Sequence, residues 1–438
     1  MARVVVIGGG LGGMATAARL AKLGHEVTLL ERSDSLGGAL SAVRADGFTW
    51  DAGPTWTAMP AVVRDLFRKS GRTLEAELGD LEPLPVLREH RFEDDSVLAL
   101  PGGGRAGQMA AWDVVEPGLG ARWEAHVAAY AEDWEVIRRR YAEVPWDRST
   151  RRTPENKALL SRLDSRETLH KRLKTVRDER LRLVAAHPFV ADGHDLRNVP
   201  AWAGLQSYLE QRFGAWTVPG GMWRLGEALT ARLTTRRVEV LTGTTARDLV
   251  IRDGRAVAVA TDSGDIDADV VVCAIDPRRL PALASYVVRT MPAIPPVVAH
   301  LGLDGEVPAM SHEVVLHGDP MLVVRTGGQA PEGHHAWTVH GRGKLAEDLL
   351  TALARHHLDV RDQVVSRVDR SPREQVEHTG SSIGVLWQGR RTVRDRVGPD
   401  TPVPNVYAAG AHATPGSGIP YVGLSAALVA QVVGPAHG

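Results

Sequence analysis

The chain opens on ARVVVIGGG, where a run of β-branched residues ends in glycine, the pattern of a buried parallel strand. LGGMATAARLAKLG continues with small and apolar residues at helical spacing and stops at Gly24, and HEVTLLERS reads as a second strand. Strand, helix and strand make one βαβ unit of about thirty residues. Far downstream, VEVLTGTTARDLVIRDGRAVAVATDSGDIDADVVVCAID alternates apolar and polar positions between DG and SG turns. That pattern predicts an antiparallel meander returning to a buried strand at 269–275. PNVYAAGA supplies one more strand before a closing apolar helix. The strands that belong together thus come from the beginning, middle and end of the chain. Between them, residues 106–215 are helical in pattern and rich in Trp and Arg. Residues 296–370 mix the strand-like HEVVLHG and MLVVRTG with a helical KLAEDLLTALARHH.

Composition narrows this picture only slightly. A length of 438 residues allows two or three domains, and Lys+Arg 52 against Asp+Glu 53 leaves no global charge to attract nucleic acid. The one cysteine, Cys273, lies in a β-branched run and reads as a buried strand residue; an intrachain disulfide is excluded. Glycine interrupts VVVIGGG too early for a signal peptide, and no apolar stretch reaches the ~18 residues of a spanning helix. The expected location is cytoplasmic, either free or peripheral at a membrane.

The chemistry begins with Gly8-x-Gly10-x-x-Gly13 between strand and helix. Gly8 permits the tight turn, and Gly10 lets backbone N–H groups approach a pyrophosphate at the helix N-terminus. Gly13 lets helix and strand pack closely. Glu31 ends the second strand, where a carboxylate accepts hydrogen bonds from a ribose diol. The cofactor is therefore a dinucleotide. A second doublet, Gly37-Gly38, follows directly. A nicotinamide site has no use for it, whereas FAD enzymes of the glutathione-reductase-like class do. In GFTWDAGPTW, Gly53 and Pro54 limit side-chain bulk where a planar ring lies.

Four segments in order carry a resemblance: GGGLGG…ER…GG, GFTWDAGPTWTAMP, TVPGGMWRLGEALTARL with the meander after it, and YAAGAHATPGSGIPYVGLSAA. Together they resemble the phytoene desaturase (carotenoid desaturase) family within the flavin amine oxidase superfamily. The resemblance implies an α/β fold. A discontinuous glutathione-reductase-like FAD-binding Rossmann domain (1–75, 215–290 and 375–438) would join a mixed α+β substrate domain with a helical tract (76–214 and 291–374). It implies FAD, bound by Gly8, Gly10, Leu11, Gly12, Gly13, Glu31, Arg32, Gly37, Gly38, Ala39, Gly53, Pro54, Thr55, Ala246, Gly410, Gly418, Ile419, Pro420 and Val422. Gly410 would return to the pyrophosphate. Gly416, Gly418, Ile419 and Pro420 would pass beside the ring, ahead of a helix beginning near Val422. Ala39 stands where relatives often carry a basic residue, so that one phosphate contact is either missing or supplied by Arg32. Thr414 replaces a frequent His, and Tyr421 adds a ring where small residues are common.

The activity implied is FAD-dependent dehydrogenation of a C–C bond in a long apolar, isoprenoid-like substrate, with oxygen or a quinone as electron acceptor and no metal. Hydride abstraction needs orientation and a dry pocket more than an acid–base constellation. His412 is either a base near the ring or a satisfied loop residue. Trp112, Trp123, Trp134, Trp146, Trp202, Trp216 and Trp223 either line a substrate tunnel or fill an ordinary core. Residues 138–182 hold 15 Lys/Arg against 7 Asp/Glu, with Leu159, Leu160, Leu163, Leu169, Leu173 and Val176 recurring among them. They read as basic amphipathic helices, either lying on anionic lipid or packed on their own domain. Two other functions stay open: a flavin oxidase of an amine or another secondary metabolite, and a redox-silent FAD-binding isomerase or partner protein.

Overall fold

A computed structural model describes residues 1–145 and 153–436. β1 (Arg3–Ile7), α1 (Leu11–Lys22) and β2 (Glu26–Leu30) form the opening unit, and β3 (Glu239–Leu241), β4 (Val270–Cys273) and β5 (Val406–Ala408) complete a five-stranded sheet. Its order is β5-β4-β1-β2-β3 and every pairing is parallel. β1 sits at the centre, with Val5 opposite both Thr28 and Val271. A strand flanked on both edges must be apolar on both faces, which explains the unbroken VVVI. Cys273 is buried on β4, its thiol pushed up to about 12 by burial. α1 packs its small residues Ala15, Ala17 and Ala18 inward and lies against α3 (Ile419–Val433), the last helix described.

The meander forms as expected, with Ala246–Arg252, Arg255–Thr261 and Gly264–Asp267 antiparallel in a three-stranded sheet. A second, seven-stranded sheet joins segments Val86–Arg91 and Val97–Pro101 to five strands between Val297 and Arg370. It is antiparallel except where Glu313–Leu316 runs parallel to Val86–Arg91. The helical stretch expected over 344–357 is shorter, Leu349–Arg355. Asp348 accepts from the Leu350 amide at 2.9 Å and caps the helix there, so the preceding residues stay outside it.

Between the sheets lies the helical tract, from Arg105–Val115 to Leu205–Phe213, and among its helices is α2 (Glu179–Ala191). Trp112, Trp123 and Trp134 are enclosed in its core, so their spacing does mark an inward helix face. Leu159, Leu163, Leu169 and Leu173 enter the same core. The apolar faces of the basic helices are thus consumed by their own domain. Much of their charge is paired as well: Arg162 with Asp133, Arg172 with Glu167, and Arg180 with Asp178. Trp146 and part of the basic stretch lie outside the described residues. Among the described residues no helix is long and apolar enough to cross a membrane.

Candidate functional site

β1 delivers the chain to Gly8, whose φ of +107° only glycine adopts without strain. α1 starts three residues later. Met14 N–H bonds the Gly10 carbonyl at 3.0 Å, which leaves the N–H groups of Leu11, Gly12 and Gly13 without intrahelical acceptors. A Cβ on Gly13 would lie 1.8 Å from the Gly8 oxygen, and one on Gly12 would lie 2.6 Å from Gly410 Cα. A Cβ on Gly10 would meet nothing within 4 Å. Two of these glycines therefore let backbone segments touch, and the third leaves space open. Glu31 directly follows β2 with its carboxylate tied down: Oε2 accepts from Gly9 N–H at 2.7 Å and Oε1 from Ser33 N–H at 2.9 Å.

The open space is a cavity of about 660 Å³. Of the positions expected to touch a cofactor, Gly8, Gly10, Leu11, Gly12, Glu31, Arg32, Gly38, Ala39, Gly53, Pro54, Ala246, Gly410, Gly418, Ile419 and Val422 line it, together with His412. Gly13 and Gly37 do not. Gly13 holds α1 against Gly8, and Gly37 donates to the Gly9 carbonyl at 2.9 Å, drawing the second glycine turn onto the first. Thr55 and Pro420 line a neighbouring cavity instead. Arg32 reaches the cavity while donating to the Glu377 carbonyl. Arg247 and Arg279 add two cations that no motif announced. Free amides at α1, room above Gly10, an anchored carboxylate and nearby cations fit FAD.

His412 is only 4% exposed. Its Nε2 lies 2.9 Å from Ser382 Oγ and its Nδ1 3.4 Å from Ser381 Oγ. Burial pushes its pKa down to about 4 although Asp276, 3.8 Å away, pulls upward. The imidazole is neutral at neutral pH, and both ring nitrogens are engaged.

The second cavity, about 300 Å³, shares Pro54, His187, Ala191, Asp192, Arg325, Ser417, Gly418 and Ile419 with the first. Of the tryptophans singled out in the sequence, Trp134 and Trp202 line it, and Trp56 and Trp387 join them. Trp112 and Trp123 belong to the core alone. Trp216 and Trp223 carry Arg64 and Arg44 on their ring faces.

The cavity also holds charge. Arg88 bonds Glu313 through Nε at 2.7 Å and grips Glu210 with both terminal nitrogens at 2.9 and 3.0 Å, while Arg325 Nε takes the other Glu313 oxygen at 2.9 Å. Burial alone would raise the Glu313 carboxyl, but Arg325 and Arg88 hold it down at about 2. Two cations and two anions balance. Asp192, just past the end of α2, is an exposed residue that lines both cavities, and desolvation pushes its carboxyl up to about 6. Arg396 also lines the second cavity, against Trp387.

Comparisons with known proteins give the chain relatives along nearly its whole length. Residues 11–434 match the family described as flavin containing amine oxidoreductase. The chain is 26% identical to 4,4'-diapolycopene oxygenase of Methylomonas sp, over 98% of this chain and 97% of that protein. It is 27% identical to zeta-carotene-forming phytoene desaturase of Myxococcus xanthus, over 98% and 93%. The crystal structure of an oxidoreductase from Methanosarcina mazei shares the fold, with a TM-score of 0.65 at 18% identity over 98% of this chain and all of that one.

Proposed function

Because the chain belongs to the flavin-containing amine oxidoreductase family, its cofactor is FAD, and we propose that it dehydrogenates a C–C bond of an apolar, isoprenoid-like substrate. The abutment of the two cavities carries this reading: a body seated among Trp134, Trp202 and Trp387 meets the cofactor cavity across Gly418 and Ile419. FAD, when bound, supplies a two-electron acceptor, reoxidised by oxygen or a quinone. The chain supplies binding, orientation and dryness. Amides at the start of α1 would hold the pyrophosphate, Glu31 would accept from ribose hydroxyls, and the first turn of α3 would face the ring. Aromatic walls exclude water from the reacting carbon atoms. His412, with both nitrogens engaged, positions the Gly410–Gly418 loop rather than moving a proton.

In this reading residues 1–75, 215–290 and 375–438 form the cofactor unit, and 76–214 and 291–374 the substrate unit. The test is FAD-loaded protein with phytoene in liposomes and a quinone. A red-shifted polyene product supports the reading, and phytoene left unchanged overturns its carotenoid part. A second reading, oxidation of a compact amine, is favoured by the cavity's modest volume and the bare Asp192 carboxyl. Anaerobic bleaching of the bound flavin by an amine would select it.

A further inference from the structure

The substrate cavity contains two kinds of buried arginine. Arg88 and Arg325 are neutralised by Glu210 and Glu313. Arg396 is 8% exposed and, among the described residues, forms no ion pair. Its Nη1 donates to the Pro415 carbonyl at 2.7 Å and its guanidinium lies 5.4 Å from the Trp387 ring centroid, while Nε has no acceptor. In the same wall the Trp202 indole N–H is also buried without a partner, and the Tyr141 hydroxyl interacts with Arg396 itself and with no other acceptor. Trp387 ties the group together, stacking edge-on against Trp202 at 5.4 Å. Enclosing a guanidinium without a counter-ion costs several kcal/mol, and each orphaned donor adds about 1–3 kcal/mol. Native interiors rarely leave one such group unsatisfied. An unpaired guanidinium nitrogen and an unpaired indole N–H in one cavity wall, beside a hydroxyl whose partner is the cation itself, describe an acceptor that arrives from outside.

We propose that Arg396, with Tyr141 and Trp202, anchors a carboxylate, so that the substrate is an acid with an apolar body. The inference rests on reading this cavity as the substrate's. A carboxylate offers a charge for Arg396 and acceptor oxygens for the other two donors. Trp134, Phe189, Leu205 and Leu209 enclose the apolar remainder. Burial also pulls the Arg396 pKa below its ordinary value, opposed by Tyr141 alone, which marks a cation lacking its partner. The anchored end lies beside Pro415 and Gly416, which precede the Ser417–Ile419 stretch shared by both cavities.

The test titrates FAD-loaded protein with retinoate and retinol, and with benzoate and benzyl alcohol, following the visible absorption of the bound flavin. The acid of at least one pair should bind at least tenfold tighter than its alcohol. Arg396→Met should weaken that acid about a hundredfold and leave the alcohol unchanged. Arg396→Lys, keeping charge but losing the planar fork, should fall between. Acid and alcohol binding alike, no spectral response to any acid, or full acid affinity in Arg396→Met would each overturn the proposal. So would displacement of the acid by equimolar sulfate, which would mark a general anion hole, or loss of FAD from Arg396→Met with acid affinity intact. Should the Met variant fail to fold, the wild-type acid/alcohol ratio still decides. Acid binding without turnover of any isoprenoid would sink the dehydrogenation reading and leave the anchor standing; dehydrogenation without acid preference would do the reverse.

Discussion

The first cavity is shaped by close backbone approaches, the second by long side chains. Around the first, Gly13 lies against Gly8 and Gly12 against Gly410 so closely that a single added carbon would collide. Around the second, tryptophans, arginines and glutamates meet through long side chains anchored on separate elements. Binding by backbone demands fixed spacing along the sequence and tolerates little change. A cavity built from side chains can be re-specified one residue at a time while the scaffold holds. The difference separates what a family shares from what distinguishes its members.

Substitutions should expose that contrast, and the largest effect belongs to the glycines. Gly13→Val would set a branched side chain against the Gly8 oxygen, and about 3 kcal/mol or more of stability should go with it, along with bound FAD. Thermal unfolding and the flavin-to-protein absorbance ratio measure both. A variant that keeps its yellow colour and Tm would show that the cradle is less rigid than its geometry.

Glu313→Gln comes next. It leaves Arg325 and one arm of Arg88 without their anion, a loss of about 3–5 kcal/mol, while flavin affinity in whatever remains folded should hold. Equal loss of flavin would erase the distinction between the two walls.

Acid should act unevenly too. His194 and His317 are held down to about 4 and His300 to about 3, chiefly by burial in the helical tract and the seven-stranded sheet, whereas the closing glycine loop has His412. The native chain refuses protons that the unfolded chain takes up below its ordinary histidine pKa of about 6.5. Their stabilisation is complete above that pH and falls away as pH drops toward 4. Calorimetry should show Tm declining over this window, and His194→Asn with His317→Asn should flatten the decline more than His412→Asn.

The smallest effect is local. Glu31→Gln keeps the shape of the turn but gives up the charge, and FAD affinity should weaken about tenfold with Tm nearly unchanged. A loss of a thousandfold would mean that the carboxylate organises the loop as well as the ligand.

Legibility from sequence divides along the same line. Gly8, Gly10, Gly13 and Glu31 stand at set intervals because one strand, one turn and one helix fix their separation, and the closing turn at Gly410–Ile419 is equally local. The Arg88–Glu313 pair spans 225 positions, and no spacing rule links a strand near the start of one sheet to its partner across it. Asp192 reads as nothing more than a residue after a helix. Arg396 stands out only once the described residues around it prove to offer no ion pair. The tryptophan spacing announces an inward face, but inward means core for Trp112 and cavity wall for Trp134. Periodicity gives direction and says nothing of what lies there.

Gly12 and Gly410 touch across nearly the whole length of the polypeptide, and Gly410 is pinned from its far side by Ser425 at 2.8 Å. A nascent chain emerging from the ribosome offers the Gly12 half of the grip early and must wait for Gly410 and α3 before the second half exists. Translation thus sets the order of assembly, and a message that stops ahead of Gly410 would yield a protein with no hold on its coenzyme.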